Sequence, residues 1–139
     1  MLMKIKYLLG RKADFAIETT LATRSLKKIV TQAQAQGYFV TVLYFWLESA
    51  DLAVARVKAR VEAGGHNVPE ETIRRRSDTG LHYFFYDYSP IADRWILADN
   101  SEIPFTIVAQ GWKEHMVVKD NKKYEAIARQ ALQGQSDDK

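Results

Sequence analysis

The sequence predicts one α/β domain over residues 1–139, built as three layers with a mainly parallel sheet flanked by helices. Three observations lead there. Segments with helical periodicity alternate with short runs of β-branched and aromatic residues. The longest such run, residues 38–47, is apolar on both faces, as expected of a strand covered on both sides. No linker-like stretch or internal repeat divides the chain. An apolar fraction of 47% and a charged fraction of 27% fit an ordinary globular protein. A chain of this length buries roughly two thirds of the surface its unfolded form exposes, enough for a single core.

In order along the chain, residues 1–12 read as the end of a helix, with Ile5, Leu8 and Leu9 on one face and Gly10 as terminator. Residues 15–17 read as a brief buried strand. A helix follows over residues 25–36 with Leu26, Ile29, Val30 and Ala33 on its apolar face, stopped by Gly37. After the 38–47 strand, Ser49 is placed to cap a helix over residues 50–62. Gly64 and Gly65 end that helix, and Pro69 opens the next because its missing N–H has no partner in a first turn. This helix is expected to reach about residue 86, with Leu81, Phe84 and Phe85 inward. Short strands are expected at 95–98, 105–109 and 116–118, then a helix over 121–132 and a frayed tail at 133–139.

A net charge of +3 is too small by itself to imply nucleic-acid binding. The absence of cysteine excludes a disulfide framework and thiol chemistry and fits a reducing compartment. No convincing signal peptide and no run of roughly 20 uncharged apolar residues is present, so a cytoplasmic protein without membrane attachment is expected. His66, His82 and His115 lack partners at metal-ligand spacing, so no metal site is expected. The aromatic run 83–88 follows helical spacing and reads as core rather than as a platform for stacking bases.

The strongest local signal is a lid-like segment at about 56–76: Arg56, Lys58 and Arg60, a Gly64-Gly65-His66-Asn67-Val68-Pro69 hinge, then Arg74, Arg75 and Arg76. Guanidinium groups on two helix ends joined by such a hinge can close over an anion with paired hydrogen bonds. Solvated helix faces are an equally good account, and three consecutive arginines cannot all face one ligand at ~3.6 residues per turn. The second signal is Glu18, Thr19 and Thr20, with Thr23 and Arg24 after them, at the C-terminal end of an expected strand. Ligands bind at that edge of open α/β sheets, although a threonine cap is the simpler explanation. The third, Asp99-Asn100-Ser101, is either an ordinary turn or a loop that contacts a nucleotide base.

Taken in order, Phe15-Ala-Ile-Glu-Thr-Thr-Leu21, Tyr44-Phe-Trp-Leu47, Arg56-Val-Lys-Ala-Arg-Val61, Gly64-Gly-His-Asn-Val-Pro-Glu70, Ile73-Arg-Arg-Arg76 and Asp99-Asn-Ser101 resemble the zeta-toxin-like P-loop kinases over roughly residues 1–109. The resemblance implies a fold related to nucleotide kinases, a toxin–antitoxin setting, and transfer of phosphate from Mg-ATP to a small molecule such as a UDP-linked amino sugar. It implies substrate roles for Glu18 and Thr20, with Arg24 beside them. It implies catalytic lid roles for Arg60 and for one of Arg74 to Arg76, first Arg74 or Arg75, and a place near the adenine for Asn100. The departure is the P-loop, since no Gly-Lys-Ser/Thr occurs anywhere in the sequence. Phosphoryl transfer depends on positioning and electrostatics, so the expectation is a truncated homologue without stand-alone, ATP-dependent kinase activity. The alternative is a non-catalytic module that complements a separate P-loop half or self-associates, because a missing central strand leaves strand edges unpaired.

Overall fold

The computed structural model describes residues 2–134. Five α-helices and four strands follow one another as α1 (Leu2–Gly10), α2 (Leu26–Ala35), β1 (Thr41–Trp46), α3 (Ala50–Glu62), α4 (Glu70–Tyr83), β2 (Arg94–Asp99), β3 (Thr106–Trp112), β4 (His115–Val118) and α5 (Asn121–Gln133). The α/β class expected from the sequence is therefore present, with helices flanking a four-stranded sheet in the order β1-β2-β3-β4. The sheet is mixed. Parallel pairing is confined to β1–β2, while β2–β3 and β3–β4 are antiparallel. The cause is connection length. A parallel crossover needs a dozen or more residues, which the path through α3 and α4 supplies and the short links between β2 and β3 and between β3 and β4 do not.

Local chemistry accounts for the helix ends. Ser49 accepts a hydrogen bond from Leu52 N at 3.1 Å and so caps α3, and Asp120 caps α5 by accepting from Lys123 N at 3.0 Å. Gly37 and Gly64 follow α2 and α3 at φ +92° and +101°, the left-handed turn that a residue with a Cβ adopts only at a cost. The helix begun at Pro69 is not uniformly α. At residues 84–88 it widens by one residue per turn, marked by Ser89 N donating to Phe84 O at 2.8 Å. Phe84, Asp87 and Tyr88 are the buried residues of this turn.

The core lies on one face of the sheet. Tyr44 and Trp95 pack on Phe84, at ring-centroid separations of 5.3 and 6.0 Å, with Leu81, Leu97, Val108 and Ile127 buried beside them. Ile5, Leu9, Leu26 and Ala33 bring α1 and α2 into the same cluster. Trp46 Nε1 donates to Gln130 Oε1 at 3.0 Å, and His82 donates from Nδ1 to the Ala131 carbonyl at 2.8 Å, fixing α5 against the sheet and α4. On the opposite face Leu43 and Phe45 of β1 remain 42% and 44% exposed. The strand expected at residues 15–17 does not form. The segment pairs with no strand and is held instead by Tyr38, whose hydroxyl donates to Ala13 O at 2.8 Å and whose ring meets Phe15 edge-on. The expected frayed tail falls, from residue 135 onward, outside the described residues.

Asp99 closes β2 with a buried carboxylate that accepts from Lys123 Nζ at 2.7 Å and Ser101 N at 2.9 Å. Burial works to raise its pKa, but the bonds from Lys123 and Ser101 outweigh burial and hold it below the usual carboxylate range. A carboxyl whose pKa is lower folded than unfolded stabilises the fold fully above the unfolded value, about 3.9, and loses that effect as the pH falls through the folded value. Asp99→Asn should thus cost about 1 kcal/mol at neutral pH. Urea titrations should show the gap between variant and wild type closing below about pH 4.

Candidate anion-binding cleft

The main chain on either side of Leu21 is placed by an unusually close approach. An added Cβ at Gly80 of α4 would lie 2.3 Å from Thr20 O, so only glycine lets residues 20–22 lie against this helix. Leu21 sits at φ +56°, a left-handed conformation costly for a branched side chain, and it is buried. Two short turns frame it: Leu21 N donates to Thr19 Oγ1 at 3.2 Å and Ala22 N to Thr20 Oγ1 at 3.4 Å. Tyr88 donates from its hydroxyl to Thr23 O, and Asp87 pairs with Lys27 at 3.1 Å and Arg24 at 3.6 Å, so the widened turn after α4 pins the next residues of the same segment.

Between that segment and α4 lies a cleft of about 330 Å³ lined by Ala22, Arg75, Arg76, Thr79 and Tyr83. Arg76, Thr79 and Tyr83 share one helical stripe at i, i+3 and i+7, and Arg75 stands one turn before Thr79. Thr79 is buried, and its hydroxyl has no hydrogen-bond partner. Arg75 and Arg76 are exposed and form no ion pair among the described residues. The Arg24 guanidinium lies 5.2 Å from the centre of the Tyr83 ring, adding positive charge at the rim. Two guanidinium groups, with the unsatisfied Thr79 hydroxyl buried behind them, make a donor-rich wall suited to phosphate or carboxylate oxygens. Tyr44 lies behind this wall, its hydroxyl donating to Ser77 O at 3.3 Å; burial and then the Asp78 charge push its pKa up, so it stays a neutral phenol.

The residues singled out in the sequence are distributed unevenly around this cleft. Arg75 lines it, Arg24 flanks it, and the exposed Glu18 and Thr20 lie just upstream of Ala22 on the clamped segment. Arg74 points the other way, to Asp51 of α3 at 2.6 Å and Glu70 at 2.9 Å. Arg60 is exposed in the last turn of α3, its carbonyl accepting from Gly65 N at 2.7 Å, and does not line the cleft. Asn100 lies at the C-terminal end of the parallel pair, where its N–H donates to Trp46 O at 2.8 Å. Arg56, part of the lid-like segment, donates to Ser101 O at 3.0 Å and stitches that loop to α3. Thr79 and Tyr83 were not singled out for the site, although their helical spacing from Arg76 was legible. Among the described residues no group of His, Cys, Asp or Glu converges to hold a metal ion. The sequence contains no Gly-Lys-Ser/Thr.

Gly80→Ala is expected to lower stability by about 1–3 kcal/mol through the clash with Thr20. Gly10→Ala, where nothing lies within 4 Å of the new Cβ, should leave the melting temperature unchanged or slightly raised. Thermal denaturation of the two variants checks this contrast.

Comparison with known proteins bears on the same stretch of chain. An uncharacterized protein of Haemophilus influenzae is 32% identical over 62 residues, 45% of this chain and 44% of that protein, so the match spans less than half of either. No solved structure is significantly similar. The zeta toxin family matches residues 1–82, which takes in the clamped segment, the lid-like helices and every residue of the cleft except Tyr83, and leaves the Asn100 loop outside. With more than half of its length matched, the chain belongs to the zeta toxin family.

Proposed function

We propose that this chain supplies the substrate and lid elements of a zeta-toxin-like small-molecule kinase and binds a phosphate-bearing ligand, such as a UDP-linked amino sugar, in the cleft beside α4. The observation that carries the reading is the unpartnered Thr79 hydroxyl in a wall shared with Arg75 and Arg76. A buried hydroxyl without a partner carries an unrecovered desolvation cost, and a small rotation of Thr79 toward a phosphate oxygen in the cleft would relieve it while the guanidinium groups balance the charge. Arg24 sits at the rim, and Glu18 and Thr20 project from the preceding turn, where a carboxylate and a hydroxyl suit the hydroxyls of a sugar. Arg60 borders the Gly64–Pro69 hinge, from which the lid would approach a bound ligand; Asn100 would meet a base at the sheet edge.

In this reading the chain binds and orients, and does not transfer phosphate by itself. The groups that hold the β- and γ-phosphates and the magnesium ion of Mg-ATP in P-loop kinases do not occur in these 139 residues. The phosphate wall on α4 therefore serves the acceptor substrate.

Calorimetric titration separates the possibilities. A UDP-amino sugar should bind saturably, with affinity reduced about 10–100-fold in Arg76→Ala and about tenfold in Thr79→Val, as expected for loss of a charged and a neutral hydrogen bond. Mg-ATP added with the sugar should give no phosphorylated product. Equal affinity in wild type and Arg76→Ala, or robust turnover by the chain alone, would overturn the proposal.

A further inference from the structure

The two edges of the sheet are built differently. β4 is short, and Lys113, Glu114, Lys119 and Asp120 stand at its ends, a common device for discouraging strand addition. β1 carries no such guard. Residues 29–47 contain neither a charged residue nor a proline, and β1 pairs with β2 in unbroken register from Thr41 to Trp46. Val40 O accepts from Asp93 N and Arg94 N, and Trp46 O from Asn100 N, so the even-numbered residues of β1 face β2. Thr41, Leu43 and Phe45 thus direct their main-chain N–H and C=O groups outward, and no strand among the described residues pairs with that side.

The same residues project their side chains onto the open face of the sheet. There Phe45 meets Phe105 at 5.1 Å between ring centres, and Leu43, Phe45 and Phe105 are each more than 40% exposed. An edge that is unpaired, free of bulges, uncharged and continuous with an apolar face has the properties of a strand-pairing site.

We infer that the outer edge of β1 is an interface with a second copy of this chain, the two β1 strands pairing antiparallel about a two-fold axis at Leu43. The edge is self-complementary. The axis sets Leu43 opposite Leu43 of the second copy and Thr41 opposite its Phe45, and all outward main-chain groups of these residues join in about six hydrogen bonds. Nothing on either strand repels the other, whereas a strongly charged foreign strand would find no counter-charge anywhere in residues 29–47. A two-fold contact needs only one patch, and all of it is present here. Pairing also joins the apolar faces around Leu43 and Phe45 of the two copies into one surface. The inference is independent of the ligand reading, since Thr41, Leu43 and Phe45 lie apart from the cleft-lining residues.

The absence of cysteine makes a direct test possible. Opposed residues in a hydrogen-bonded antiparallel pair have Cα atoms about 5.5 Å apart, within the range that a disulfide spans. Leu43→Cys should cross-link to a dimer under mild oxidation, while Val117→Cys on β4, similarly exposed, should not. Sedimentation should show a wild-type dimer, weakened at least about tenfold by Leu43→Lys or Leu43→Glu alone and restored when the two variants are mixed, with circular dichroism confirming that each is folded. A wild type monomeric at every accessible concentration, as when a different polypeptide owns this edge, would overturn the inference. So would cross-linking no greater at Leu43→Cys than at Val117→Cys.

Discussion

The contact on which the site depends is the seating of Thr20 O against the bare Cα of Gly80. It does three things at once. It carries Leu21 into the core at the expense of a left-handed backbone, it lays residues 20–22 along α4, and it leaves a cleft between that segment and the helix. A side chain at position 80 would hold the two apart. The widened turn at 84–88 supports the same seam from the far end, because its buried Tyr88 bonds Thr23 O and its buried Asp87 pairs with Lys27 and Arg24.

Three adjacent arginines illustrate how helix geometry divides labour. Arg74 is turned toward α3 and neutralised by Asp51 and Glu70, which locks the two helices bordering the hinge. Arg75 and Arg76, about 100° and 200° further around the axis, escape that pair and line the cleft. Positive charge therefore persists in the cleft because Asp51 and Glu70 are engaged by Arg74 and not by its two neighbours. The loop following β2 is similarly committed, with Asp99 held by Lys123 and Ser101 by Arg56, so it forms a firm border at the end of the parallel strands.

The sheet explains itself through its connections. One long crossover through α3 and α4 allows β1 and β2 to run parallel, and everything after β2 returns by short links and must run antiparallel. This places β1 at an edge although its composition is that of a central strand. The mismatch between an apolar, unguarded sequence and an edge position is the physical basis for expecting a partner there.

Much of this was legible in the residues themselves. Ser49 as a cap, Gly37 and Gly64 as stops, helix α3, and the apolar strands near 41–46, 94–99 and 106–112 follow from local rules acting within a few residues. The antiparallel turn of the sheet was also within reach, because connection length decides it. Tertiary contacts decided the rest. Whether residues 15–17 become a strand depends on a neighbouring edge, which arrangement of Arg74, Arg75 and Arg76 meets the cleft depends on where Asp51 lies, and the role of Gly80 depends on a carbonyl sixty residues away in sequence. Sequence by itself determined most of the elements and the family motifs, since these are local patterns. Only the packed chain decided which motifs share a cleft, because that is set by distances between segments far apart along it.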